Sequence, residues 1–180
     1  MADEYYRVCR QCMKTGPAMA QFCSHCGQPM PKEVEIFLSY AREDQKLLNE
    51  LLKHLAILKR TGIAILWQDQ DISGGTEWRK ALDKHMDTSD IILLLISSDF
   101  IASDFCYSIE MQRAMERHAR HEACVIPVIL RPASWHTAPF AVLQALPKDA
   151  KPVVSWSNRD EAFLSVTKGI RDVIKERFLP

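Results

Sequence analysis

The chain lacks an apolar run long enough to cross a membrane. Its longest, such as Ile91 to Ile96, fall well short of the about 18–20 residues that a span needs. It also lacks an apolar leader, because Met1 to Arg10 is too charged for a secretory signal, and a cytoplasmic location is the expectation. Net charge is missing too: 23 Lys+Arg balance 23 Asp+Glu, so no overall field draws nucleic acid or an acidic membrane surface. There is no GxGxxG or Walker-type phosphate loop. Gly74-Gly75 lacks the lysine and the further glycines and reads as a turn. No serine or cysteine triad is visible either, and Cys106 and Cys124 are lone thiols in apolar settings, which read as packed core residues. Internal repeats and low-complexity tracts are absent.

What is present suits one ordinary domain with a small appendage: 180 residues, 47% of them hydrophobic, can build a real core. From Val34 onward, short apolar runs alternate with longer mixed segments. The runs are Val34 to Leu38, Ile63 to Trp67, Ile91 to Ile96, Cys124 to Leu130 and Pro152 to Trp156. Each is almost continuously apolar, the pattern of a strand covered on both faces of a parallel sheet. Between them, Arg42 to Arg60 carries a leucine stripe and is stopped by Gly62. A second helix is expected from Thr76 or Glu77 to Met86, a third from Ser103 as N-cap, and a short fourth segment around Phe140 to Leu146. The last helix should begin near Asn158 to Asp160. Five strands alternating with helices give a doubly wound α/β domain, with its ligand site beyond the carboxyl ends of the strands.

Residues 1–31 differ in kind from residues 32–180. They contain no core-forming run, yet hold four of the six cysteines as Cys9-Arg-Gln-Cys12 and Cys23-Ser-His-Cys26, separated by ten residues. Two CxxC hooks at this spacing can each supply two thiolates to a tetrahedral ion, the pattern of a structural zinc ribbon. A redox CxxC pair would sit at a helix start beside a sheet, and these hooks precede any sheet. Plain disulfides are the remaining alternative. Gly27 suits a tight knuckle after the second hook, whereas Met13 holds the matching place in the first. His25 reads as a solvated residue within the knuckle. With three basic residues against two acidic ones and few aromatics, this segment fits a protein partner better than nucleic acid.

On an ideal helix from Ser103, Glu110 has Cys106, Tyr107 and Ala114 as neighbours, with Arg113 beside it. The simplest account is a surface Glu110–Arg113 pair. A second account comes from a resemblance. Phe37-Leu38-Ser39-Tyr40, Leu66-Trp67-Gln68-Asp69, Ile72-Ser73-Gly74-Gly75-Thr76-Glu77-Trp78, Leu95 to Phe100, and Ser103-Asp104-Phe105-Cys106 leading to Glu110 occur in order. Val125 to Pro132 with Trp135 completes the set. Over residues 33 to about 177 this series resembles the successive motifs of a Toll/interleukin-1 receptor (TIR) domain, of bacterial members in particular.

The resemblance implies a five-stranded flavodoxin-like sheet, self-association, and cleavage of NAD+ between nicotinamide and ribose in a bacterial defence or signalling pathway. It makes Glu110 the catalytic glutamate. It implies a nucleotide pocket drawn from Ser39, Tyr40, Arg42, Trp67, Asp69, Gly74, Trp78 and Cys106, with Trp135 contributed by a neighbouring protomer. Cys106 stands where many relatives carry tryptophan. A second function is compatible with the same motifs: a non-catalytic TIR scaffold that signals by assembly, its ribbon docking a partner.

Overall fold

The computed structural model describes residues 6–9, 11–17, 20–30, 32–68, 84–103 and 108–178. In the N-terminal segment, β1 (Tyr6–Val8) and β2 (Thr15–Pro17) pair antiparallel, Arg7 opposite Gly16. The main sheet consists of β3 (Val34–Ser39), β4 (Ala64–Gln68), β5 (Ile91–Ile96) and β6 (Cys124–Ile129). All its pairings are parallel, and the order is β4-β3-β5-β6. The runs of β5 and β6 are continuous because both faces are covered. Ile91, Leu93 and Leu95 enter one core, and Ile92, Leu94 and Ile96 enter the other, the alternation that a strand imposes.

The first core is closed by α1 (Gln45–Arg60) and α4 (Arg159–Phe178). Leu47, Leu48, Leu51, Leu55 and Leu58 of α1 and Phe163, Val166, Ile170 and Ile174 of α4 are its buried contributions. The leucine stripe ends as expected: Gly62 takes φ 61°, its N–H donates to the Lys59 carbonyl, and the Ile63 N–H donates to Leu58. This paired closure suits glycine, which carries no Cβ penalty at positive φ. The second core lies under α2 (Ser98–Ala102) and α3 (Ile109–Ala119), with Phe100, Met111, Ala114 and Phe140 buried.

Three expectations about the elements are corrected. The run Pro152 to Trp156 is not a strand: Val153–Ser155 forms a 3-10 turn in which only Val153 is buried, tied to the sheet by Val154 N–H donating to the Leu130 carbonyl at 3.1 Å. Pro152 has no N–H to offer a ladder. The place beside β6 is taken by Leu146 alone, which bridges Val128 in parallel, its N–H donating to Pro127 and its carbonyl accepting from Ile129. Among the described residues the parallel sheet therefore has four strands. Ser103 does not start the third helix. It ends α2, and the cap of α3 is Ser108, whose Oγ accepts the Met111 N–H at 3.3 Å. Residues 140–143 form successive turns rather than a helix. Of the helix expected from Thr76 or Glu77, residues 84–88 are helical, and its start lies outside the described residues. The final helix begins as expected, with Asn158 Oδ1 accepting the Asp160 N–H at 2.9 Å.

His118 of α3 supplies a local pH dependence. Its Nδ1 accepts the Val125 N–H of β6 at 3.0 Å, a role only the neutral ring can fill. Burial, followed by the charges of Arg177 and His121, holds its pKa below the ordinary histidine value. The unfolded chain thus binds this proton more readily than the fold does. Stability conferred at neutral pH is lost as pH falls from about 6.5 through the lower folded value. Urea midpoints read by tryptophan fluorescence should drop between pH 7.5 and 5, and His118→Gln should shrink that drop. All four tryptophans lie after residue 31, so this signal reports on the α/β part alone. An unchanged pH dependence in the variant would remove the assignment.

Candidate functional site

Because β4 and β5 lie on opposite sides of β3, the chain leaves β3 in one direction and returns on the other. The carboxyl ends of β3 and β5 are therefore the topological switch point, the place where such sheets take their ligands. Just beyond β3, the 3-10 turn Arg42–Asp44 is closed by the Asp44 N–H donating to Ala41 at 2.8 Å. Its last residue, Asp44, is 1% exposed, and an unpaired carboxylate there would cost several kcal/mol. It is paired on both oxygens: Ser97 Oγ donates to one, and Arg131 Nε donates to the other at 2.8 Å. Arg131 also donates to Asp99, and Ser97 caps α2 by accepting the Phe100 N–H at 3.1 Å. The two carboxylates, Asp99 foremost, raise the guanidinium pKa above its usual value, so its charge is permanent.

This network was missed in the sequence. Asp44 and Arg131 are separated by 87 positions, and no periodicity links them. The only local signal was the position of Ser97, Asp99 and Arg131 immediately after apolar strands.

The residues expected to form the pocket gather on this same side of the sheet. Ser39 ends β3 and is buried, Tyr40 follows it with its hydroxyl donating to Gln45 Oε1 at 2.8 Å, and Arg42 is exposed at the head of the turn. Trp67 stands opposite Phe37 near the end of β4 and stacks on His85, ring centroids 4.4 Å apart. Glu110 is half-buried at the second position of α3. It lies in the first turn, where the backbone N–H groups favour a negative charge, rather than mid-helix as a start at Ser103 implied. Arg113 donates to Asp87 at 3.1 Å. Trp135 is 9% exposed, packed into the second core with its ring against His136. A contact to a neighbouring protomer through this side chain would require its loop to open. Asp69, Gly74, Trp78 and Cys106 lie outside the described residues.

The four N-terminal cysteines converge. Their sulfurs all lie within 4.8 Å of one another, with Cys9–Cys26 at 3.5 Å and Cys12–Cys23 at 3.6 Å. A tetrahedron of sulfurs about 2.3 Å from a central ion has edges of about 3.8 Å, so the set can hold a metal as it stands. The two hooks fold alike. Cys9 N–H donates to Lys14 and Met13 N–H to Cys9, while Cys23 N–H donates to Gln28 and Gly27 N–H to Cys23. Met13 and Gly27 both take positive φ, 57° and 72°. Methionine adopts this geometry at a cost of about 1–2 kcal/mol, so the first hook is the strained copy of the second. The backbone N–H groups of His25 and then Cys26 bring the Cys23 thiol down to about 6. At Cys26 the Gln28 N–H also favours the thiolate, but burial and hydrogen bonds with the other thiols prevail and push it up to about 12. Crowded sulfurs without a cation resist full ionisation; a divalent ion removes that resistance.

A parallel sheet covered on both faces, with a polar network at its switch point, defines a flavodoxin-like α/β domain. Within that class the chain belongs to the TIR-domain family, whose model matches residues 36–164. It is similar to the uncharacterized protein y4lF of Sinorhizobium fredii (strain NBRC 101917 / NGR234), 53% identical over 137 residues, which are 76% of this chain and 42% of that protein. The chain thus spans less than half the length of this curated relative. Among solved structures it resembles the TIR domain of the Toll-related receptor TRR-2 from Hydra magnipapillata, with a TM-score of 0.53 at 19% identity, over 77% of this chain and 96% of that one. That likeness concerns the fold. No helix among the described residues is long and apolar enough to cross a membrane.

Proposed function

We infer that this chain is a cytoplasmic NAD+ nucleosidase of the TIR family, active when copies self-associate, carrying a zinc ribbon at residues 1–31 ahead of a TIR domain at 32–180. The observation that carries the reading is Glu110. A half-buried carboxylate stands in the first turn of α3, the helix after α2, in a chain of the TIR family.

One carboxylate is enough for this reaction. The bond broken joins ribose to a cationic nicotinamide ring, which departs neutral with the bonding electrons, so no general acid is needed. Positive charge grows on the ribose carbon as the bond lengthens. The Glu110 carboxylate accepts hydrogen bonds from ribose hydroxyls and stabilises that charge. Water then captures the ribose, releasing a proton and giving ADP-ribose, or a nitrogen of the adenine captures it and gives a cyclic product. Tyr40, Arg42 and Trp67 supply an aromatic and cationic wall at the ends of β3 and β4. In the ribbon, Zn²⁺ would be held by Cys9, Cys12, Cys23 and Cys26. Four thiolates leave no open position, so the ion orders the segment and presents a surface to a protein partner.

Nicotinamide release from NAD+, measured across a range of protein concentrations, tests the reading. A pocket completed by a second copy exists only in the assembled fraction. Activity should therefore rise more steeply than linearly, and a crowding agent should raise it further. Absence of release from concentrated, crowded, zinc-loaded protein would leave the scaffold function in its place.

A further inference from the structure

Arg131 lies just past the end of β6, yet its guanidinium spans the end of β5 to reach the turn after β3. It holds Asp44 with Nε and Asp99 with Nη2. The inner end of this arrangement is fixed, for Asp44 is 1% exposed and its second oxygen is taken by Ser97. The outer end reaches solvent: the Arg131 side chain is 31% exposed and that of Asp99 is 40% exposed. Fixing Asp44 fixes the Arg42–Asp44 turn, which presents Tyr40 and Arg42. Holding Asp99 and Ser97 fixes the head of α2, from which the chain runs on toward Ser108 and Glu110.

We propose that Arg131 is a positioning residue for NAD+ cleavage, holding residues 40–44 and 97–103 in register across the switch point so that Tyr40, Arg42 and Glu110 address one substrate. The proposal rests on the NAD+-cleaving reading of the site. Its chemical basis is the fork of the guanidinium, which can bind two carboxylates on fixed bearings. An ammonium at the same place is a point charge and sets neither direction. An ion pair serving stability alone would change melting behaviour. A clamp on reacting groups changes the rate of the chemical step in a protein that remains folded, because displacements of about 1 Å can cost about 10²-fold.

The test uses the full chain with Arg131→Lys, Asp99→Asn and Asp99→Glu. Asp99→Asn removes one of the two bearings of the guanidinium and so loosens its hold on the Arg42–Asp44 turn without altering the buried Asp44 itself, and it remains informative if Arg131→Lys fails to fold. Nicotinamide release gives kcat and KM, hydrogen exchange reports on residues 40–44, and tryptophan fluorescence reports on folding. Arg131→Lys and Asp99→Asn should melt close to the parent, lose at least about tenfold in kcat with a smaller change in KM, and exchange faster in residues 40–44 while β5 stays protected. Asp99→Glu should recover most of the rate. Parental kcat in the folded variants, or unchanged exchange in residues 40–44, would overturn the proposal while the parent's activity still upheld the reading of the site. A parent that releases no nicotinamide when concentrated and crowded removes that reading, and the positioning role with it.

Discussion

Glu110→Gln should reduce NAD+ cleavage by about 10²- to 10³-fold, the usual consequence of removing one preorganised electrostatic group from a transition state. Glutamine keeps the volume and an accepting oxygen but removes the negative charge, so the loss reports on charge stabilisation rather than on shape. The fold should survive. The first turn of α3 is capped by Ser108, and the side chains that α3 buries are Met111 and Ala114. The charge itself contributes only about 0.3–1 kcal/mol to the helix through its position near the amino end. The measurement is kcat from nicotinamide release at saturating NAD+, alongside the melting temperature. A well-folded Glu110→Gln or Glu110→Ala protein with near-parental turnover would dismiss Glu110 as the catalytic group, and with it the argument for a single-carboxylate mechanism.

The second large effect concerns the N-terminal segment. Cys23→Ser should take bound zinc from about one ion per chain to almost none and should unfold residues 6–30, while the domain after residue 31 still melts cooperatively. Cys23 is buried, and its sulfur lies 3.6 Å from that of Cys12. A serine hydroxyl has the size but not the soft, ionised character that a four-sulfur site requires. Among the described residues, the buried apolar contribution of this segment is little more than Cys9, Cys23 and Met30, too small to offset the chain entropy of ordering it. A metal bound by the four thiolates would supply the missing folding free energy. Elemental analysis of protein purified without chelator gives the stoichiometry. Exchange of the segment's amides and tryptophan fluorescence of the remainder give the two halves of the stability claim. Parent protein with four unmodified thiols and no zinc would refute the site.

How much of this was legible depended on whether a signal was local. β5 and β6 stood out because burial on both faces demands unbroken apolar runs, β3 and the half-buried β4 because their runs are nearly unbroken, and α1 because its leucines recur at helical spacing before a glycine. The fifth run failed for a physical reason. A few apolar residues beginning with a proline satisfy a hydrophobicity pattern, yet only Val153 is needed inside, and the ladder position went to Leu146, which no run announced. The α3 start was misread because Ser97, Ser103 and Ser108 are all competent caps, and sequence offers no means of ranking them when two short helices stand in succession. The convergence of the four cysteines was readable from spacing alone, and the structure adds that their hooks are matched in hydrogen bonding down to the positive φ of Met13. The Asp44–Ser97–Arg131–Asp99 network was beyond reach, since it exists only once three strand ends are side by side.

The outer side of β6 bears on how copies of this protein can meet. Of its outward N–H groups, that of Val125 is given to His118 and that of Ile129 to Leu146, while Pro127 between them has none. A sheet border so treated offers no template on which another chain could lay down a strand, the usual route to continuous cross-molecular sheets. Assembly at this border must proceed without backbone pairing, through side chains on helices and loops. Such contacts form and part more readily than a continuous backbone ladder.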